Sequence, residues 1–272
     1  MKTVGCIIAR TNSSRLPQKV LRKINNKQFI EIIIEKMKRV RELDELYLCT
    51  SVDSMDRILL DVAVENGIKA YAGSRDSVID RLLDVARIEN ADKVIRITGD
   101  NLFTDEIYLE LMLEYHELHA VDYTRSEFLP LGVTAEVINV DFLRRLSNMM
   151  DSNQSQYMML YLFQPEYSKC QVLIPEKRHR HPNWSLTVDT QEDLKRAERL
   201  LSFFDHIPNY GELLDILENE NIPSLEYGRA NSVKFPANLL MTYVAFRTEM
   251  EQRIARSIIT ELKEGFYDAK CI

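Results

Sequence analysis

Thr3-Val4-Gly5-Cys6-Ile7-Ile8-Ala9 runs directly into Arg10-Thr11-Asn12-Ser13-Ser14-Arg15-Leu16-Pro17-Gln18-Lys19. The first stretch reads as a short buried strand. The second reads as a polar, basic loop, after which apolar residues resume at Val20 and Leu21. In open α/β sheets, ligands bind where strands end and loops begin. Arg10, Arg15 and Lys19 crowd like charges into that loop, which is favourable when an anion sits among them. A polyphosphate is the natural candidate. Taken alone, a solvated surface loop is the other reading.

The pattern around this stretch is a strict alternation. Apolar residues recur at helical spacing over about 27–41, and Leu46–Ser51 reads as a second strand. A helix containing Ile58, Leu59, Val62 and Ala63 stops at Asn66-Gly67, and Lys69–Tyr71 is a third strand. Gly73-Ser74-Arg75-Asp76 opens another helix, with Leu82, Leu83, Val85 and Ala86 on its apolar face. Lys93–Ile97 is a fourth strand, ending in Thr98-Gly99-Asp100. Such β-α-β-α order predicts an α/β fold, a mostly parallel sheet with right-handed crossovers in three layers. Later segments are less regular: helix over 105–117, strands at 121–124 and 133–140, helices at 141–150 and 155–163, a strand at 169–174. The basic run Lys177–His181 follows, then a strand Trp184–Val188 and a helix opened by Asp189.

From Leu239 to Phe266 apolar residues step by three or four, which predicts one long amphipathic C-terminal helix. It either crosses its own domain or makes a homodimer arm. Gly228, Asn231, Ser232 and Pro236 mark the one candidate boundary, separating a domain of residues 1–225 from a helical extension of 226–272.

The net charge of −7 excludes a general nucleic-acid binder, which needs a basic face. No apolar run approaches the length that crosses a bilayer. The N-terminal residues lack the form of a signal peptide. Cys6, Cys49, Cys170 and Cys271 are scattered without metal-binding spacing. These features lead us to expect a cytoplasmic protein with free thiols.

Two acids fall at carboxyl ends of predicted strands: Asp100 after 93–97 and Asp189 after 184–188. Paired carboxylates plus substrate phosphates are the usual way to hold Mg²⁺, which keeps several waters. Cations for a polyphosphate and acids for a metal together suit nucleotidyl transfer with pyrophosphate leaving. Asp100 as a plain turn residue and Asp189 as a helix cap are the alternatives at this level.

The loop Ile7–Lys19 resembles the A-R-x-x-S-x-R-L-P-x-K signature of the CMP-sugar synthetases. It is most similar to the spore-coat-polysaccharide type of cytidylyltransferase, a relative of the synthetases for 3-deoxy-manno-octulosonate and sialic acids. Further stretches resemble the family's motifs in order: Cys49-Thr50-Ser51, Gly73-Ser74 with Asp80-Arg81, Arg96-Ile97-Thr98-Gly99-Asp100, Gly132 through Glu136-Val137, and Leu186–Leu194. The resemblance covers about residues 1–220. It implies CTP as substrate, with Arg10 and Lys19 on the triphosphate and Ser13, Ser14 and Arg15 supporting the loop. Asp100 and Asp189 would ligate Mg²⁺. Ala9, Ser51, Gly73, Ser74, Arg81 and Arg96 would join the nucleotide site, the base being read near the end of the second strand and in the segment 73–81. The acceptor would be a sugar acid or another small anion.

The chain departs from the family at four places. Gln18 replaces a glycine, Asn101-Leu102 a Cys-Pro, and Ala72 an arginine. Ser155-Gln156-Tyr157-Met158-Met159 stands where the family carries R-E-H-V-T. The acceptor half is therefore expected to be altered. Two rival readings are a metal-dependent glycosyltransferase, which would need a D-x-D where Asp100-Asn101-Leu102 stands, and a non-catalytic nucleotide-binding relative.

Overall fold

The computed structural model describes residues 1–150, 158–226 and 242–270. Strand β1 (Thr3–Ile8) leads to a small antiparallel hairpin, β2 (Lys23–Ile24) and β3 (Lys27–Gln28), and helix α1 (Phe29–Met37). Then come β4 (Glu45–Ser51), α2 (Ile58–Glu65), β5 (Lys69–Gly73), α3 (Val78–Glu89), β6 (Lys93–Thr98) and α4 (Glu106–His119). This is the expected alternation. The chain continues through β7 (Tyr123–Ser126), β8 (Glu136–Asn139), α5 (Val140–Ser147), α6 (Met159–Leu162), β9 (Cys170–Ile174), α7 (Gln191–Leu201) and α8 (Tyr210–Asn219). It closes with α9 (Tyr243–Ala255), β10 (Ile258–Glu261) and α10 (Phe266–Lys270).

The main sheet has eight strands in the order β10-β9-β7-β8-β6-β1-β4-β5. Among the described residues of this sheet, β8 alone is antiparallel to its neighbours, β6 and β7. Alternate residues serve two cores, as the period of a strand requires. Ile7, Leu46, Leu48, Ile95 and Ile97 join α1, α2, α4, α7 and α8 on one face. Val4, Cys6, Tyr47, Cys49 and Val94 join α3 and α5 on the other. Near-continuous apolar strands are what a sheet covered on both faces demands. Cys6, Cys49 and Cys170 are free and buried. Among the described residues no helix is long and apolar enough to cross a membrane.

Two expectations are corrected. The C-terminal run is not one long helix, nor a purely helical extension. Helix α9 ends at Ala255, and Ile258–Glu261 pair in parallel with β9. Ile258, Ile259 and Thr260 are β-branched and suit a strand. The edge of β9 offers them a ladder of donors and acceptors that would otherwise stay unpaired. Helix α9 lies across its own domain: Met250 and Ile254 rest on the second core, and Arg253 donates to the carbonyls of Leu160 and Phe163 at 3.0 and 2.8 Å.

The second correction concerns Trp184–Val188, which is extended but joins no strand ladder. It is tied by single bonds instead: Ser185 N–H to the Leu225 carbonyl, Leu186 N–H to that of Leu131, and Val188 N–H to that of Asp100. Gly132, at φ +98°, makes this crossing possible. A Cβ there would lie 2.6 Å from the Thr187 nitrogen.

Asp105 locks the C-terminal end to the body. It caps α4 through the Tyr108 N–H at 2.8 Å, accepts the Tyr210 N–H at 2.7 Å and the Tyr267 hydroxyl at 2.9 Å. Burial, and then the neighbouring Glu106 charge, push its pKa up to about 6. A folded value above the ordinary one near 4 favours the protonated form, so this contribution is complete below about pH 4 and is lost as pH rises through about 6. Urea midpoints measured from pH 4 to 7 should show stability declining by up to ~3 kcal/mol from this group. Asp105→Asn should flatten that slope; an unchanged slope in the variant would exclude Asp105 as its origin.

Candidate active site

The loop after β1 and the turn after β6 are forced together. Gly99 donates to the Ile8 carbonyl at 2.8 Å, and a Cβ on Gly99 would fall 2.7 Å from that oxygen. Asp100 therefore sits beside the mouth of β1. The loop itself closes through the Gln18 N–H on the Thr11 carbonyl at 3.1 Å. Gln18 is left-handed, at φ 54°, a conformation that favours glycine. The single 3₁₀ turn Lys19–Leu21 then aims Lys19 back across the mouth.

Lys19 is almost enclosed, and its ammonium donates to the Val188 carbonyl at 2.8 Å and to Asp189 Oδ1 at 2.9 Å. Asp100 Oδ2 lies 3.7 Å from the same ammonium, and Arg15 Nη2 lies 2.8 Å from Asp189 Oδ2. Arg15, Lys19, Asp100 and Asp189, distant in sequence, thus converge. Asp189 is not the cap of α7. Thr190 caps that helix, in a reciprocal box with Asp193. Asp100 does occupy a turn, closed by the Asn101 N–H on the Thr98 carbonyl.

The Lys19 ammonium marks a point that both carboxylates address. Two hard oxygen donors around one small cation suit Mg²⁺ shared with phosphate oxygens. Among the described residues no group of three or more His, Cys, Asp or Glu gathers as a fuller cage.

Three cavities open along this edge of the sheet. A central one of about 500 Å³ is lined by Ala9, Arg10, Ser13, Ser14, Arg15 and Lys19, with Asp100 at its side. Beside it, about 320 Å³ is enclosed by Ile8, Ala9, Arg10, Arg75, Val78 and Arg81. Arg10 donates to the Arg75 carbonyl at 3.2 Å and joins the two. Arg81 is buried, donates to the Cys49 carbonyl at 3.4 Å, and leaves its Nε–H without a partner. Burial lowers its pKa. Gly73 is buried at the end of β5 in front of Arg81.

Ser51 and Ser74 are engaged in holding backbone and loops. The Ser51 hydroxyl donates to Asp56 at 2.5 Å, and Ser74 accepts the Ser77 N–H at 3.1 Å. The sequence reading missed Asp56. This buried acid accepts both the N–H and the hydroxyl of Thr11, each at 2.7 Å, so it anchors the neck of the basic loop to the end of β4. Burial alone would raise its pKa, but the Ser51 and Thr11 hydrogen bonds overcome it and hold the carboxylate below its ordinary range. Its position in Ser51-x-x-x-x-Asp56, just past a strand end, was the available signal.

The third cavity, about 310 Å³, lies on the far side of Asp100 and Asp189. Arg96, expected with the nucleotide, lines this one. Register pairs Arg96 with Glu136 across β6 and β8, and the two side chains form an ion pair. The Tyr123 hydroxyl donates to the other Glu136 oxygen at 2.5 Å. Burial alone would raise Glu136, but Arg96 and that hydroxyl hold it below its usual range. Arg125, also missed, pairs with Glu127 at 2.7 Å. Arg96 Nε and Arg125 Nε and Nη1 are buried without hydrogen-bond partners. Residues 151–157, which carry most of the altered acceptor segment, lie outside the described residues.

The basic run Lys177–His181 is structural. Arg178 pairs with Asp215 and Glu218, His179 is buried against Tyr108, Tyr210 and Tyr267, and His181 stacks on Trp184.

If Asp56 positions the loop, Asp56→Ala should raise the CTP KM about tenfold while the acceptor KM stays within twofold. Two lost hydrogen bonds to a charged group support that size. Asp56→Asn keeps an acceptor oxygen for Thr11 and should restore most of the CTP affinity. Equal changes in both KM values, or no rescue by Asn, would reduce Asp56 to a fold-stabilising role.

The sequence model of a family described as Cytidylyltransferase matches residues 4–226. The Bacillus subtilis spore coat polysaccharide biosynthesis protein SpsF is 31% identical over 201 residues, 71% of this chain and 84% of that protein. A cytidylyltransferase structure from Leptospira borgpetersenii shares the fold with a TM-score of 0.76 at 22% identity, over 87% of this chain and all of that one. The structure of a CMP:2-keto-3-deoxy-manno-octonic acid synthetase complexed with CTP superposes with a TM-score of 0.59 at 20% identity, covering 75% of this chain and 99% of that one.

Proposed function

The chain belongs to the cytidylyltransferase family and is a nucleotidyltransferase, and from that premise we propose that it transfers CMP from CTP to a sugar acid or similar small anion. Pyrophosphate leaves, Mg²⁺ takes part, and the product serves surface-polysaccharide or glycoconjugate synthesis. One observation carries the reading: Lys19, Arg15, Asp100 and Asp189 meet within hydrogen-bond or ion-pair distance at the mouth of β1.

In this reading Arg10, Arg15 and Lys19 bind the triphosphate in the central cavity, beside Ser13 and Ser14. The cytosine enters the neighbouring cavity, where the free Arg81 Nε–H suits a ring carbonyl or nitrogen acceptor, and Ala9 and Gly73 form the wall. Asp100 and Asp189 hold the magnesium, which when bound polarises the phosphate oxygens and offsets their charge. Charge moves onto the leaving pyrophosphate during transfer. Lys19 and Arg15, gathered at the same mouth, then stabilise the transition state more than the ground state. The acceptor occupies the third cavity. Its anionic group suits the unpaired N–H groups of Arg96 and Arg125. From there an acceptor oxygen can attack the α-phosphate opposite the leaving group.

Asp100→Ala and Asp189→Ala should each cut pyrophosphate release by about 100-fold or more, a typical loss for a removed electrostatic group. Near-normal turnover in either would overturn the metal assignment. CTP with Mg²⁺ should raise the melting temperature by roughly 5–10 °C at about 100 times Kd. An equal rise with UTP would sink the cytidine reading.

A further inference from the structure

We propose that Asp189 is an exchangeable counter-ion that makes the polyphosphate and the divalent cation bind as one unit. The proposal rests on the reading above of which ligands meet at this mouth.

Both Asp189 oxygens are held by cations. Oδ1 accepts from Lys19 at 2.9 Å and Oδ2 lies 2.8 Å from Arg15. The Lys19 ammonium is further fixed by the Val188 carbonyl at 2.8 Å. A divalent cation arriving alone meets a carboxylate already compensated, with two positive groups in contact. A polyphosphate arriving alone meets cations already paired, and two carboxylates of its own sign. When both arrive, partners exchange: the cations turn to phosphate oxygens and the carboxylates to the metal. No charge in the nearly enclosed Lys19 pocket is left unpaired, which is the costly outcome for a desolvated ion. The side chains allow it. Arg15 is 53% exposed and can swing, while Lys19 already faces the central cavity.

Coupling of this kind is reciprocal, so metal tightens polyphosphate by the same factor that polyphosphate tightens metal. The arrangement also separates the two acids. Asp100 pairs with Lys19 at 3.7 Å without a hydrogen bond, so removing its charge still leaves Lys19 on Asp189 and the Val188 carbonyl, and Arg15 on Asp189. Plain repulsion between carboxylates and phosphate would treat the two acids alike.

The test is calorimetric binding of inorganic tripolyphosphate, and of CTP and UTP in parallel, with EDTA or with Mg²⁺. Asp189→Asn should bind tripolyphosphate in EDTA about tenfold or more tightly than the wild type does, and should lose most of the gain from Mg²⁺. Asp100→Asn in EDTA should stay within about threefold of wild type. Arg15→Gln, a change at an exposed side chain, should tighten binding of Mn²⁺ alone severalfold, read by electron paramagnetic resonance. Equal gains from Asp189→Asn and Asp100→Asn, or unchanged Mn²⁺ affinity in Arg15→Gln, would overturn the exchange. Tripolyphosphate following this pattern while CTP binds no better than UTP would sink the cytidine reading and leave the exchange standing. CTP binding with Mg²⁺, but no metal-free gain in Asp189→Asn, would do the reverse.

Discussion

The Lys19 ammonium, enclosed between the Val188 carbonyl and the carboxylates of Asp189 and Asp100, is the contact on which the rest of the mouth depends. A lysine so little exposed must keep its partners, because an unpaired buried charge costs several kcal/mol. Its partners come from the segment after the fourth parallel strand and from a crossing far along the chain. Lys19 therefore fixes the distance between the basic loop and both acids. Gly99 and Gly132 are the backbone conditions for that meeting. One lets the β6 turn touch β1, and the other lets the 184–188 crossing touch the 131–133 loop.

The half of the site proposed for the nucleotide was legible in the sequence because its residues sit at ends of regular strands. Hydrophobic periodicity places β1, β4, β5 and β6, and topology then brings their carboxyl ends to one edge. Arg10, Arg15, Lys19 and Asp100 follow from that. Asp189 was found for a partly different reason. Its preceding segment is extended but joins no ladder, and single bonds to Leu131, Asp100 and Lys19 bring it to the edge. The C-terminal helix was misread because steps of four run through residues whose β-branched side chains also fit a strand. Periodicity records which side is apolar, not whether a free sheet edge stands nearby. Asp56 and Arg125 escaped because each acts through a tertiary neighbour, Thr11 or the Arg96 cavity; only the place of Asp56 just past a strand end marked it locally.

The Ser51–Asp56–Thr11 link shows how a rigid element disciplines a loop. Loops carry binding groups but are the mobile part of a fold, so the groups must be held by the scaffold. Here the scaffold reaches the loop at its neck, where the Gln18 and Thr11 backbones also close on each other. Arg10 lies immediately before that neck and Arg15 and Lys19 lie within or beyond it. A single acid under the loop therefore bears on the cations without touching the anion they bind.

The acceptor side is built differently. Its central ion pair is a cross-strand pair, set by the register of the one antiparallel strand against β6. A shift of that strand by one residue would turn Glu136 to the opposite face and leave Arg96 unpaired. The register and the cavity are thus one constraint. The nucleotide half depends instead on carboxyl ends of parallel strands and on two glycine contacts. The linings of the central and third cavities overlap only at Thr98 and Asp100, so the other walls of the third cavity can change while the basic loop stays as it is. Under the proposed function, acceptor choice then lies in β7, β8 and their surroundings rather than in the loop after β1.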